Sequence, residues 1–270
     1  MDIKGIWKGH IAWRFSRCKY LLVYWRYLKN YREVLECREK EVPVQLKFRC
    51  GINLEFSNAA SSLHIFDEIF VAEVYKLSKS NQTRTIVDIG ANVGLFSVYA
   101  LLKIPRANIY AVEADPFVFQ ELAKNLRANE LTNKIKIFHQ AMASKPGKIV
   151  LYAAKHFGWS SIFNDQGAKS GRPVEVDAAN LTLFCKEHHL EKIDYLKVDI
   201  EGAEYDFILG DRDFFRNEIE EMAVEVDRDP RDKRYFYDDL IRVLKQNYRL
   251  VRVGSLPSEY PLLYCSGRKK

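Results

Sequence analysis

Residues 85–102 read TIVDIGANVGLFSVYALL. A β-branched run, Thr85 to Val87, stops at an acid, Asp88. Gly90 and Gly94 then frame a turn, and from Leu95 onward the apolar residues recur with helical spacing. A glycine directly after a strand lets the backbone turn sharply and come close to a ligand with no side chain between them. The carboxyl ends of strands are where ligands sit in open α/β sheets, so the question is what this turn holds.

A phosphate, a dinucleotide and an adenosyl cofactor are the usual occupants. A phosphate-cradling loop needs G-x-x-x-x-G-K-[ST], and no Lys follows here. The dinucleotide fingerprint G-x-G-x-x-G fails because Asn92 stands where the second Gly would admit a pyrophosphate. Asp88, beside the turn, suits a ligand with a cationic amino-acid end and would sit poorly against a pyrophosphate. Glu113 closes the next strand pattern, NIYAVE, 25 residues after Asp88, where a carboxylate can accept both hydroxyls of a ribose. An acid, a glycine turn and a second acid describe S-adenosylmethionine better than a nicotinamide dinucleotide.

Strand and helix patterns alternate outward from this unit, which predicts an α/β fold with a mostly parallel, doubly wound sheet and helices on both faces. Residues 116–130 read as a helix with Asp115 as cap, Pro116 in the first turn and a buried stripe of Phe119, Leu122, Ala123 and Leu126. VPVQLKF and INLEF predict a hairpin, residues 61–79 a helix, KIKIFHQAM one strand, and residues 155–175 a long surface loop. The expected division is an N-terminal helix and first hairpin strand over residues 1–50, followed by a catalytic domain over 51–270.

With 47% hydrophobic and 29% charged residues, the composition is that of a globular protein. No apolar run reaches the roughly eighteen residues of a spanning helix, and Arg14, Arg17 and Lys19 interrupt any signal-peptide core. The five cysteines are scattered without a C-x-x-C pair, which predicts free thiols in a reducing, cytoplasmic setting. Residues 1–50 carry 12 Lys and Arg against 5 Asp and Glu, whereas the remainder carries 30 against 31. The neutral larger portion argues against a broad nucleic-acid footprint. Residues 11–35 read as a helix in which Trp13, Tyr20, Tyr24, Tyr27, Leu28 and Tyr31 recur among basic residues. Such a helix lies on an anionic membrane or packs on the domain or a second subunit, and amphipathicity alone does not separate these.

VDIGANVGLFSVYAL, AVEADP and IDYLKVDIEGAEYDFILG resemble the motifs of FkbM-type S-adenosylmethionine-dependent methyltransferases, over about Ile86 to Val226. The LKVDIEGAE element belongs to that family rather than to Rossmann-like proteins at large. The resemblance implies the class I methyltransferase fold, a seven-stranded sheet whose last strand runs antiparallel, and methyl transfer to a hydroxyl, often on a sugar or natural product. It implies that Asp88, Gly90, Asn92 and Gly94, with Ala91 in the same turn, line the methionine end of the cofactor. Glu113 would hold the ribose, Ala114, Gln140 and Ala141 would lie near the adenine, and Asp199 would face the methyl group. Where many members carry a His after the fifth strand's Glu, this chain reads VEVDRDP, with Asp227 in that neighbourhood.

Methyl transfer from a sulfonium is an in-line displacement, so the protein must orient the acceptor and can assist by taking its proton. Asp199, Glu201, Glu225 and Asp227 fall at neighbouring strand ends in the expected topology. Asp199, Glu225 and Asp227 could bind Mg2+, a hard cation that takes oxygen ligands. Lys197 alternates with Asp199 and shares its face, where it would stabilise a developing alkoxide or pair with Asp199. Glu201, Trp159, Ser160 and Ser161 are expected to touch the acceptor, a glycan or related small molecule, and His139 and His156 are further base candidates. Cys185, His188 and His189 lack a fourth ligand at zinc spacing and read as part of an ordinary helix. A nicotinamide-dependent oxidoreductase and a noncatalytic membrane-associated assembly factor are the alternatives from other classes. Asn92 opposes the first, and the intact Asp88, Gly90, Glu113 and Asp199 oppose the second.

Overall fold

In the structure, a computed structural model, residues 17–77, 82–153, 172–226, 235–255 and 261–269 are described. Thr85–Ile89 forms strand β3, with Ile86, Val87, Asp88 and Ile89 all buried. A strand buried on both faces belongs in the middle of a parallel sheet, and β3 pairs in parallel with β4 (Asn108–Glu113) on one side and β9 (Ile193–Val198) on the other. Beyond β4 lies β5 (Ile135–His139), and beyond β9 lies β10 (Ile219–Glu225), both parallel to their neighbours. The final strand, β12 (Pro261–Arg268), inserts antiparallel between β10 and β11 (Tyr248–Ser255). The order β11-β12-β10-β9-β3-β4-β5, with one antiparallel strand, is that of a class I methyltransferase sheet. Succession reverses direction between β3 and β9, and the crevice opens there, at the strands' carboxyl ends.

Helices cover both faces. α4 (Leu95–Lys103) and α5 (Pro116–Ala128) follow β3 and β4. Asp115 caps α5 as predicted, one carboxylate oxygen accepting from the backbone N–H of Phe117 at 2.8 Å. Leu122, Ala123 and Leu126 are buried, while Phe119 is partly buried.

The sequence expectations fail in three places, each for a visible reason. The helix expected over residues 11–35 is, where described, two helices: α1 (Arg17–Tyr27) and α2 (Tyr31–Cys37). Between them the chain pairs with the predicted hairpin, β1 (Val44–Lys47) and β2 (Asn53–Phe56). Lys29 N–H donates to the Lys47 carbonyl at 2.7 Å and Arg49 N–H donates to the Tyr27 carbonyl at 2.9 Å, diverting backbone groups that a continuous helix would use, and the Asn30 side-chain amide adds a bond to the Gln45 carbonyl at 2.8 Å. The helix expected to reach residue 79 is α3 (Ala59–Phe66) followed by a π-helical turn, Asp67–Val71, closed by the Ala72 N–H donating to the Asp67 carbonyl. Buried Asp67 anchors that turn, accepting from the hydroxyls of Tyr20 and Tyr24 and pairing with Arg38. Finally, KIKIFHQAM breaks at Gln140 into β5 and a short β6 (Ala141–Met142). β6 joins β7 (Gly147–Ala153) and β8 (Arg172–Ala179) in a second, three-stranded sheet. β8 thus takes up the end of the expected loop, while residues 154–171 lie outside the described chain.

Tyr24, Leu28 and Val34 share a core with Phe66, Phe70, Phe96 and Tyr99 on one side of the sheet. Phe184, Leu196, Phe207 and Leu240 belong to the core on the other side. Leu28 is fully buried, so Leu28→Ala should cost about 2–5 kcal/mol in urea unfolding. Loss should appear within a single cooperative transition; a separate early transition would show that α1 and α2 fold apart from the sheet.

Candidate active site

The glycine turn is held by close approaches. Gly90 has φ +73, and a Cβ there would lie 1.7 Å from the Asp199 carbonyl oxygen, so the turn and the end of β9 touch backbone to side-chain position. Gly94, with φ +87, precedes α4, and a Cβ there would lie 2.5 Å from Leu122 Cδ1, so its smallness serves the packing of α4 on α5. The Gly90 and Ala91 N–H groups donate to the Val112 carbonyl at 3.0 and 2.9 Å, and the Asn92 N–H donates to Glu113 Oε2 at 2.7 Å. The turn is thereby fixed to β4 on one side and β9 on the other.

Beneath it lies a buried charge column. Asp88 is wholly buried; its Oδ2 accepts from Ser97 Oγ at 2.7 Å and its Oδ1 lies 3.5 Å from Lys197 Nζ. Lys197 Nζ also donates to the Gly90 carbonyl at 2.6 Å and pairs with Asp199 Oδ2 at 3.1 Å. Burial raises the Asp88 carboxyl above its usual range, opposed by Lys197 and Ser97. Burial alone would lower the Lys197 ammonium, but Asp199 and Asp88 outweigh it and hold it above its usual value. Neither Asp88 nor Lys197 lines the cleft: both act from behind the turn, Lys197 by pairing with Asp199.

The cleft lies open to solvent over the carboxyl ends of β3, β4 and β9. Gly90, Asn92, Glu113, Ala114, Gln140, Ala141, Asp199 and Glu201 line it, joined by Met142 and Leu151 of the small sheet. Ala91, Gly94 and Asp88 do not line it. Glu113 faces the cleft with Oε2 accepting from Asn92 N–H and Oε1 from Asp115 N–H at 2.8 Å, and burial pushes its carboxyl up to about 7. Two further acceptor positions remain on that carboxylate. Ala114, Ala141, Met142 and Leu151 make the wall next to it apolar. At the other end, Glu201 (φ 55) and Gly202 (φ 99) take left-handed backbone. Glu204, buried, folds its Oε1 back to accept from the N–H groups of Ile200 and Gly202 at 2.9 and 3.2 Å. The IEGAE segment is therefore a self-capped loop that sets the cleft wall after Asp199.

Tyr75, buried and outside the cleft lining, is the partner of Asp199 that sequence reading missed. It follows the π turn, and its hydroxyl lies 3.1 Å from both Asp199 Oδ2 and Glu225 Oε2. Burial, then the Asp199 and Glu225 charges, raise its phenol well above the ordinary value. One phenol proton serves two carboxylates, so it donates to one at a time. Glu68, on the same π turn, is pushed up to about 8 by burial and by the charge of Asp199. No pattern in the sequence links Tyr75 to Asp199 across 124 residues; only the fold brings them together.

Asp227, Trp159, Ser160, Ser161 and His156 lie outside the described residues. Among the described residues no three His, Cys, Asp or Glu side chains group as metal ligands. His139 Nε2 lies 3.1 Å from the Ala114 carbonyl and its ring stacks on Phe119. Cys185 is buried in helix α6 (Leu181–Glu187), which ends before His188 and His189, and His188 packs against Phe138. Cys37, Cys50, Cys185 and Cys265 are unbridged thiols.

Several known proteins share this arrangement of sequence. Methyltransferase sdnD of Sordaria araneosa is 29% identical over 174 residues, covering 54% of this chain and 67% of that protein. The 2-O-methyltransferase NoeI of Sinorhizobium fredii is 25% identical over 142 residues, covering 47% and 57%. The 31-O-demethyl-FK506 methyltransferase FkbM of Streptomyces tacrolimicus is 22% identical over 216 residues, covering 69% and 82%. The family model described as Methyltransferase FkbM domain matches residues 88–250, well over half of the chain. That span runs from the acid beneath the glycine turn, through the cleft, to the far edge of the sheet, and the chain belongs to the FkbM methyltransferase family.

Proposed function

We propose that the cleft binds S-adenosylmethionine and that the enzyme methylates a hydroxyl oxygen of a small molecule, with a sugar or glycan as the acceptor class. The observation that carries this reading is the layout of the cleft: a half-buried carboxylate with open acceptor positions, Glu113, set between an apolar wall and the acid-tipped end of β9. Glu113 suits a ribose diol, Ala141, Met142 and Leu151 suit an adenine face, and the Gly90–Asn92 turn with Asp199 suits the amino-acid end. Two relatives bear names that put the methyl on oxygen, 2-O-methyltransferase and 31-O-demethyl-FK506 methyltransferase, which favours a hydroxyl acceptor.

S-adenosylmethionine, when bound, supplies an electrophilic methyl on a good leaving group. The chain's own contribution is then position and proton handling. Asp199 is one-quarter exposed in its side chain, and Lys197 and Tyr75 both meet its Oδ2. Asp199 lines the cleft, and its carboxylate has more lone pairs than Lys197 and Tyr75 use, so it can accept from an acceptor hydroxyl. That carboxylate orients the oxygen and takes its proton as the bond to carbon forms. Lys197, from behind, fixes the Asp199 carboxylate. A Mg2+ ion, which Asp199, Glu225 and Asp227 would hold through carboxylate oxygens, is the metal variant of this reading.

Calorimetric titration with S-adenosylmethionine tests the cofactor. Glu113→Ala should weaken binding about tenfold or more, the scale of lost charge-assisted hydrogen bonds; native affinity in that variant would remove the ribose assignment. The pH dependence has a defined sign. As carboxylate Glu113 accepts from the ribose with charge-assisted bonds, and protonation removes that charge and one acceptor position; burial sets its titration at about 7, so affinity should fall as pH drops below neutrality, and Glu113→Gln should abolish that slope. Release of S-adenosylhomocysteine with a panel of hydroxylated acceptors tests the chemistry. Tyr75→Phe and Asp199→Asn should lower kcat by roughly a hundredfold or more, with cofactor affinity unchanged in Tyr75→Phe. Methyl found on nitrogen in the product would overturn the hydroxyl reading, and loss of turnover in EDTA, restored by Mg2+, would favour the metal variant.

A further inference from the structure

The surface of α1 divides in two. On one face Tyr24 is buried, and the Tyr20 and Tyr24 hydroxyls donate to Asp67, so that face is committed to the domain. The other face leaves Leu21, Leu22 and Trp25 exposed by 48%, 57% and 53%. With Tyr31, Arg32, Leu35 and Glu36 of α2 they line one open groove. Three large apolar side chains exposed together on one helix are unusual on a soluble surface and mark something that binds.

The charge around this face is mostly positive: Arg26, Lys29, Arg32 and Arg49 are exposed, against Glu33 and Glu36 of α2. Arg49 donates through Nε to the Trp25 carbonyl at 2.6 Å, and its guanidinium lies 5.3 Å from the centre of the Trp25 ring. Arg32 similarly bonds the Tyr31 hydroxyl at 3.1 Å. Glu36 is the acid in the groove. Over residues 1–50 the excess is 12 basic residues to 5 acidic, whereas the rest of the chain is neutral. No described helix is long and apolar enough to cross a membrane, and α1 spans only 11 residues.

We infer that the outer face of α1 and the α1–α2 groove dock on an anionic membrane surface. Trp25, Leu21 and Leu22 enter the boundary between headgroups and acyl chains, and Arg26, Lys29, Arg32 and Arg49 meet the lipid phosphates. Trp is favoured at that boundary because its ring is apolar and its N–H needs a polar partner. Apolar insertion combined with basic attraction is how a short helix lies on, rather than through, a bilayer. A second copy of the chain on the same face would set these cations against one another, so charge complementarity favours the lipid surface. This inference is independent of the methyl-transfer reading, because it concerns a different surface.

Co-sedimentation of the full chain with vesicles tests it, using phosphatidylcholine alone and an equal mixture with phosphatidylserine. Binding to the anionic vesicles should be at least about tenfold tighter than to neutral ones and should weaken in high salt. The Leu22→Ser/Trp25→Ala double variant should lose most of that binding while melting like the native chain, since both side chains are half exposed. Arg26→Gln/Arg32→Gln should lose the preference for anionic lipid. Equal recovery in the supernatant with both vesicle types would overturn the inference. So would unchanged binding in the double variant, or a concentration-dependent dimer, seen by sedimentation velocity, that the double variant abolishes.

Discussion

The site depends on one buried cation. Lys197 Nζ sits between Asp88 and Asp199 and donates to the carbonyl of Gly90. It thereby ties the end of β3, the glycine turn and the end of β9 into one unit at the point where the sheet changes direction. A charge in that position is tolerated only because two carboxylates and a carbonyl surround it. Removing one partner of such a group typically costs about 3–5 kcal/mol, since another charge is left buried and uncompensated. Gly90 is the steric counterpart: with Asp199's carbonyl 1.7 Å from where a Cβ would stand, the two strand ends meet only if that residue has no side chain.

This explains why the family motifs have the residues they do. In LKVDIEGAE, the Lys holds the turn from below, the Asp reaches the cleft, Glu201 and Gly202 supply left-handed backbone, and the last Glu caps the loop they make. In VDIGANVG, the Asp lies under the turn as Lys197's partner, the first Gly permits the strand contact and the second packs two helices. Several of these residues shape the cleft without lining it.

Much of this was legible from local pattern. The central strands read as continuous apolar runs because both faces are buried, and the α5 cap read correctly because its Asp and Pro act within a few residues. Glu113 and Asp199 were legible as strand-end acids. What the sequence did not disclose was decided by contacts far apart in the chain. Tyr75 joins Asp199 and Glu225 across 124 and 150 residues. The helix over residues 11–35 broke where its backbone found the edge of β1, and the helix from residue 61 ended in a π turn around Asp67, whose partners lie on α1 and just past α2. Asp88 was read as facing the cofactor because it sits beside the turn; it is buried because β3 is covered on both faces, and its carboxylate turns to Ser97 and Lys197. The N-terminal helices, by packing on the π turn that precedes Tyr75, support Tyr75 and through it Asp199, as well as presenting an outer face.

The measurement that bears most directly on this account is calorimetric titration of Lys197→Met with S-adenosylmethionine, below its melting temperature and with the folded fraction followed by circular dichroism. If the buried cation organises the glycine turn and Asp199, the folded variant binds at least about tenfold more weakly than the native chain, a loss of about 1.4 kcal/mol. Native affinity in a folded Lys197→Met protein would contradict it, and the cleft would owe its shape to the glycine contact alone.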